Sequence, residues 1–152
     1  MAATGKIDVE VELKSPADKF WAAIRDSPDL FPKAFPNQYK SIDVLEGDGK
    51  SVGTIRLVKY AEGSPEITFS KEKIEVVDEG NKTVSYSVID GDLLKFYKVF
   101  KPTLVVSSEG DGSVVKWSCE FEKASEEIPN PDIIKEFAVK NFQELDAYLL
   151  KA

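Results

Sequence analysis

The segment 130–152, "NPDIIKEFAVKNFQELDAYLLKA", limits the possible folds more than any other stretch. Ile134, Phe137, Ala138, Phe142, Leu145 and Leu149 recur at three and four residues, with Lys135, Glu136, Lys140, Glu144 and Asp146 largely opposite. That is the period of a helix with one apolar face. Asn130 as N-cap, Pro131 at the first helical position and Asp132 in the first turn predict where it starts. At about 1.5 Å per residue, some 20 residues make a helix roughly 30 Å long. A stripe of that length must be covered by another layer.

The covering layer is predicted to be β. "KIDVEVELK" places Ile7, Val9, Val11 and Leu13 on one face and Asp8, Glu10 and Glu12 on the other, a half-buried strand. "SPADKFWAAIR" then offers Ser15 as N-cap and Pro16 at the first helical position. "DSPDLFPKAFP" is expected to be stopped by Pro32 and Pro36, giving two short helices with a break between them. From about residue 40 to 123 the chain reads as six strands joined by turns rich in Gly, Asn and Asp. The expected class is α+β, a strongly curved antiparallel sheet gripping one long helix. No linker or repeat divides residues 1–152, and one domain is expected.

"EGDGKSVGTIRLVKY" (46–60) looks at first like a phosphate-binding loop, with Gly47, Gly49, Gly53 and a lysine between them. A phosphate loop needs a helix N-terminus after it. "TIRLVKY" is β-branched and aromatic with no helical period, so the glycines are read as a strand connection.

Composition removes whole classes of chemistry. The chain has no histidine and one cysteine, Cys119. Ser-His-Asp and Cys-His activation therefore lack their usual base, and zinc sites built from His and Cys cannot be assembled. A lone cysteine forms no internal disulfide and suits a reducing compartment. The 20 Lys and Arg are scattered among 27 acids, for a net charge of −7, which argues against nucleic acid or an anionic membrane as partner. No apolar run approaches the roughly 20 residues of a membrane span, and "MAATGKIDVEVELK" has no signal-peptide core. A cytoplasmic protein is expected.

Inward positions mix aromatic bulk with polar tips. Val115, Trp117, Cys119 and Phe121 form one inward set, Val84, Tyr86 and Val88 another, and Tyr60, Phe69 and Phe137 add bulk. Asn141 falls between Phe137 and Leu145. Such a mixture lines small-molecule sites. Periodicity alone favours ordinary core packing, with Asn141 at a face boundary, because aromatic stripes usually pack against each other.

The stretches "SPADKFW", "LFPKAFP", "LEGDGKSVGTIRLVKY", "YSVIDGD", "FYKVFK", "GSVVKWSCEFEK" and "FAVKNFQELDAYLL" together resemble the plant major latex proteins, a branch of the birch-pollen-allergen superfamily. The resemblance implies a helix-grip (START-like) fold: seven antiparallel strands around a C-terminal helix, with two short helices after the first strand and a large hydrophobic pocket inside. It implies a carrier for sterols, flavonoids, lipids or hormones, linked to plant defence or stress, needing no cofactor and acting as a monomer. Carried over by position, Ile24 and Phe31 would line the pocket from the short helices. Tyr60, Phe69, Val84, Tyr86, Val88, Val99, Val115 and Trp117 would do so from the strands. Phe137, Ala138 and Asn141 would come from the long helix, Asn141 departing from the apolar residue often found there.

The superfamily offers two other classes of function, an enzyme and a gated hormone receptor. Some relatives condense or isomerise alkaloids, and a weak ribonuclease activity is attributed to the pathogenesis-related branch. The positions matching that ribonuclease set read Arg56, Tyr97, Asp146 and Tyr148, and without the strand carboxylate an acid–base pair is hard to assemble. The gate loops of abscisic-acid receptors correspond to "AEGSP" and "DGDLL", and neither matches. Because a strand follows Gly53, ATP or GTP at millimolar concentration is expected to leave the thermal unfolding midpoint unshifted. A saturable, magnesium-dependent stabilisation would overturn the turn reading.

Overall fold

The computed structural model describes residues 4–34, 36, 39–48, 51–60, 69–128 and 132–151. Its order is β1 (Thr4–Leu13), α1 (Ala17–Arg25), α2 (Ser27–Ala34), β2 (Tyr39–Glu46), β3 (Ile55–Tyr60), β4 (Phe69–Asp78), β5 (Thr83–Gly91), β6 (Tyr97–Glu109), β7 (Gly112–Lys123) and α3 (Asp132–Lys151). A short 3-10 turn, Asp92–Lys95, precedes β6. The strands form one seven-stranded sheet in the order β1-β7-β6-β5-β4-β3-β2, every pair antiparallel. Strands β1 and β2 are successive in the chain yet form opposite edges, and α1 and α2 make the crossing between them.

The glycine segment is a turn between β2 and β3. Asp48 accepts from the Ser51 N–H at 2.8 Å and from the Ser51 hydroxyl at 2.7 Å, the local bonding that Asp brings to turns. Gly47 and Gly53 have φ of +84° and +91°, where a side chain would be strained. Gly53 N–H then donates to Ile74 O at 2.8 Å, tying the turn to β4, and β3 follows with no helix. Gly49 and Lys50 lie outside the described residues.

Two sequence expectations are corrected. Ser15 does not cap α1: the helix begins at Ala17, and Pro16 occupies the cap position with extended backbone. The reason is tertiary, because the N–H groups of Lys14 and Ser15 both donate to the Asp146 carboxylate on α3, at 3.0 and 2.9 Å. Nor does Pro32 stop the second helix, for it lies inside α2. Its missing donor removes one rung without breaking so short an element. The break falls at Asp26, whose N–H closes α1 on Ala22 O and whose carbonyl accepts from Leu30 N–H. Asn130 and Pro131 lie outside the described residues.

Helix α3 is fastened at its C-terminal half. Lys19 on α1 donates to Leu149 O at 2.8 Å, and the rings of Phe20 and Phe142 meet edge to face at 6.2 Å. Phe20, Val115 and Leu145 are wholly buried there. Burial pushes the Asp146 carboxyl up, but hydrogen bonds from Ser15 and Lys14 and the Lys14 charge outweigh it and hold the group below its usual range. Its contribution is therefore present above the unfolded carboxylate range and is lost as pH falls through the folded value. Asp146→Ala is expected to cost about 1–3 kcal/mol near pH 7. The gap to the wild type should narrow in denaturant titrations at progressively lower pH, and a gap that widens would refute this origin.

Candidate functional site

Strand alternation turns Arg56, Val58 and Tyr60 of β3 toward α3, beside Ser70, Glu72 and Ile74 of β4. Strand β5 adds Tyr86 opposite Ile74 and Val88 opposite Glu72. The direction is fixed by ring contacts: Phe137 of α3 lies 6.1 Å from the Tyr60 ring and 5.8 Å from that of Tyr39, centroid to centroid. Phe31 of α2 closes the group at 5.6 Å from Tyr39.

This half of the interior differs from the packed half beneath α1. Arg56 donates through Nη2 to Glu72 Oε1 at 2.9 Å, directly across the β3–β4 pairing, and its guanidinium stands 5.8 Å from the Tyr86 ring centroid. Tyr60 donates to Ser70 Oγ at 3.3 Å, and Asn141 Nδ2 donates to the Tyr39 hydroxyl at 2.8 Å. Burial raises the hydroxyls of Tyr39, Tyr60 and Tyr86 well above the ordinary tyrosine range. Burial also raises the Glu72 carboxyl, with the Arg56 charge and hydrogen bond opposing it.

These groups are deep, yet not sealed. Tyr39, Tyr60, Tyr86 and Phe137 are only half-buried, and the side chains of Arg56 and Glu72 each keep 12% of their surface accessible. Accessible surface this far inside belongs to the wall of a hollow rather than to a close-packed core.

The sequence-predicted residues divide on this map. Val84, Val88, Val115, Trp117, Ala138 and Asn141 are buried. Ile24, Phe31, Tyr60, Tyr86 and Phe137 are half-buried. Phe69 and Val99 are corrected. Phe69 pairs with exposed Lys59 and alternates with buried Ser70, so it projects from the opposite face of β4. A register shift between Tyr97 and Val99 lets Phe100 face inward opposite Phe121, which turns Val99 outward. Sequence reasoning missed Tyr39, Ser70 and Glu72, and gave Arg56 no place in the wall. The signal is the parity that Ser70 and Glu72 share with Ile74, alternating with Lys71 and Lys73, in "FSKEKIEVVD".

The four positions weighed for ribonuclease chemistry are engaged separately. Arg56 holds Glu72, Tyr97 packs on Phe100 and Phe121, Asp146 holds the start of α1, and Tyr148 is exposed. Of the two segments compared with receptor gates, "AEGSP" lies outside the described residues. "DGDLL" runs from the end of β5 into the 3-10 turn, with Leu93 buried.

A seven-stranded antiparallel sheet wrapped on one C-terminal helix and crossed by two short helices defines a protein of the helix-grip class. The chain belongs to the pathogenesis-related protein Bet v 1 family, which matches residues 2–152. It is 57% identical over 151 residues to MLP-like protein 423 of Arabidopsis thaliana, covering 99% of this chain and 97% of that protein. The crystal structure of ginseng major latex-like protein 151 from Panax ginseng superposes with a TM-score of 0.91 at 26% identity, covering 98% of this chain and 99% of that one. Truncated norcoclaurine synthase from Thalictrum flavum shares the fold alone, with a TM-score of 0.72 at 24% identity over 93% and 92% of the two chains. No helix among the described residues is long and apolar enough to cross a membrane.

Phe20 and Phe137 separate the two halves experimentally. Phe20→Ala, in the packed half, is expected to cost about 3–5 kcal/mol. Phe137→Ala, beside existing free space, should cost clearly less in denaturant titration, and equal losses would mean that α3 closes a solid core.

Proposed function

We propose that the chain is a non-catalytic carrier that holds one small, largely apolar molecule between the sheet and α3. The observation that carries this reading is the half-buried wall of Tyr39, Tyr60, Tyr86 and Phe137, accessible although deep inside. An apolar wall with a few fixed polar groups suits a ligand of sterol, flavonoid or lipid-like size. Defence and stress roles, action as a monomer and a cytoplasmic location belong to the same reading. Burial pushes the Cys119 thiol up to about 12, which keeps it inert in a reducing compartment.

The shared fold with norcoclaurine synthase brings the enzymatic alternative, since one fold hosts both binding and catalysis. Proton transfer needs an acid and a base within reach of the substrate. The Glu72 carboxyl is held instead by Arg56, as an ion pair, and the carrier reading is the better supported.

Nile red, a neutral apolar dye, is expected to bind the native protein with about one-to-one stoichiometry and to be displaced by sterols or flavonoids. Dye binding that appears only on partial unfolding would sink the proposal.

A further inference from the structure

We infer that the Arg56–Glu72 pair is the polar anchor of the hollow, selecting ligands whose head is neutral and offers a hydrogen-bond donor beside an acceptor. The inference deepens the carrier reading and rests on it.

The pair is a poor device for stability. Taking two charges out of water costs several kcal/mol each, and apolar residues of similar volume are often as good or better. Yet the pair lies across adjacent strands at 2.9 Å, on the strand face turned toward α3, and 12% of each side chain stays accessible. The open part of Arg56 can only donate, and that of ionised Glu72 can only accept. A carboxamide or a similar edge meets both at once, accepting from Arg56 and donating to Glu72. A carboxylate head would bring a second negative charge against Glu72 where the dielectric is low, and repulsion would offset its attraction to Arg56. A pure hydrocarbon would cover both charges and leave them without any replacement for water.

The test uses Nile red displacement by three probes sharing one ring system: naphthalene, 2-naphthamide and 2-naphthoate. For the wild type at pH 7, 2-naphthamide is expected to displace the dye at least tenfold more effectively than either of the others. In the double variant Arg56→Met, Glu72→Leu, that preference should fall to threefold or less while the dye still binds. In Glu72→Gln, which removes the charge and keeps the shape, 2-naphthoate should gain at least tenfold. Circular dichroism confirms that each variant is folded, and Glu72→Gln decides alone if the double variant is not. A preference unchanged in the double variant, or 2-naphthoate that binds best to the wild type or gains nothing in Glu72→Gln, overturns the inference and leaves the carrier reading standing. Absence of Nile red binding to the wild type overturns both.

Discussion

One helix cannot fill the concave side of a seven-stranded sheet. Six inter-strand gaps of about 4.8 Å make the sheet roughly 29 Å wide, whereas a helix with its side chains is about 10–12 Å across. The 20 residues of α3 span the sheet in length but not in breadth. Curvature and the two short helices close part of the difference. What they leave open follows from topology, and the rest of the molecule is arranged around it.

Where the space lies is decided by how α3 is held. Its C-terminal half is bonded to the start of α1 through Asp146 and Lys19 and packed through Phe142 on Phe20. The N-terminal half is held more lightly, by Asn141 on Tyr39 and by ring contacts of Phe137 with Tyr39 and Tyr60. Tight packing therefore gathers under α1, and free surface gathers over β2 to β5. The same division separates chemistry: the closed half is mostly apolar, with Ser113 bonded to Ser15 O, while the open half carries Arg56, Glu72 and three tyrosines. Polar groups at that depth are tolerable because they bond to one another.

Most of the architecture was legible because it rests on period. Alternation marked the inner face of β7, where Val115, Trp117, Cys119 and Phe121 are all buried, and the three-and-four spacing marked α3. Residues failed where the period slips or where charge misleads. The family resemblance puts Val99 in the pocket wall by position, but an extra residue near Tyr97 shifts the register with β7 and turns it outward. Bulk makes Phe69 look inward, although its parity matches Lys71 and Lys73. Local rules give Ser15 the cap of α1, but an acid 131 residues away holds that end of the helix instead. Glu72 escaped because charged residues in strands are ordinarily solvated, and only its partner across the sheet makes an inward glutamate tolerable.

That partnership also explains how the hollow can be polar without being filled. A single inward charge would remain uncompensated until a ligand supplied its counterpart, and folding would then depend on ligand. With Arg56 and Glu72 paired at 2.9 Å, each charge meets a counter-charge from the protein itself. The pair still presents a donor and an acceptor to whatever enters. Truncating one member would expose the other to the full cost of burial, whereas Glu72→Gln leaves Arg56 an amide oxygen to bond and removing both together would mainly erase selectivity. The two charges therefore act as one recognition element rather than as two independent contacts.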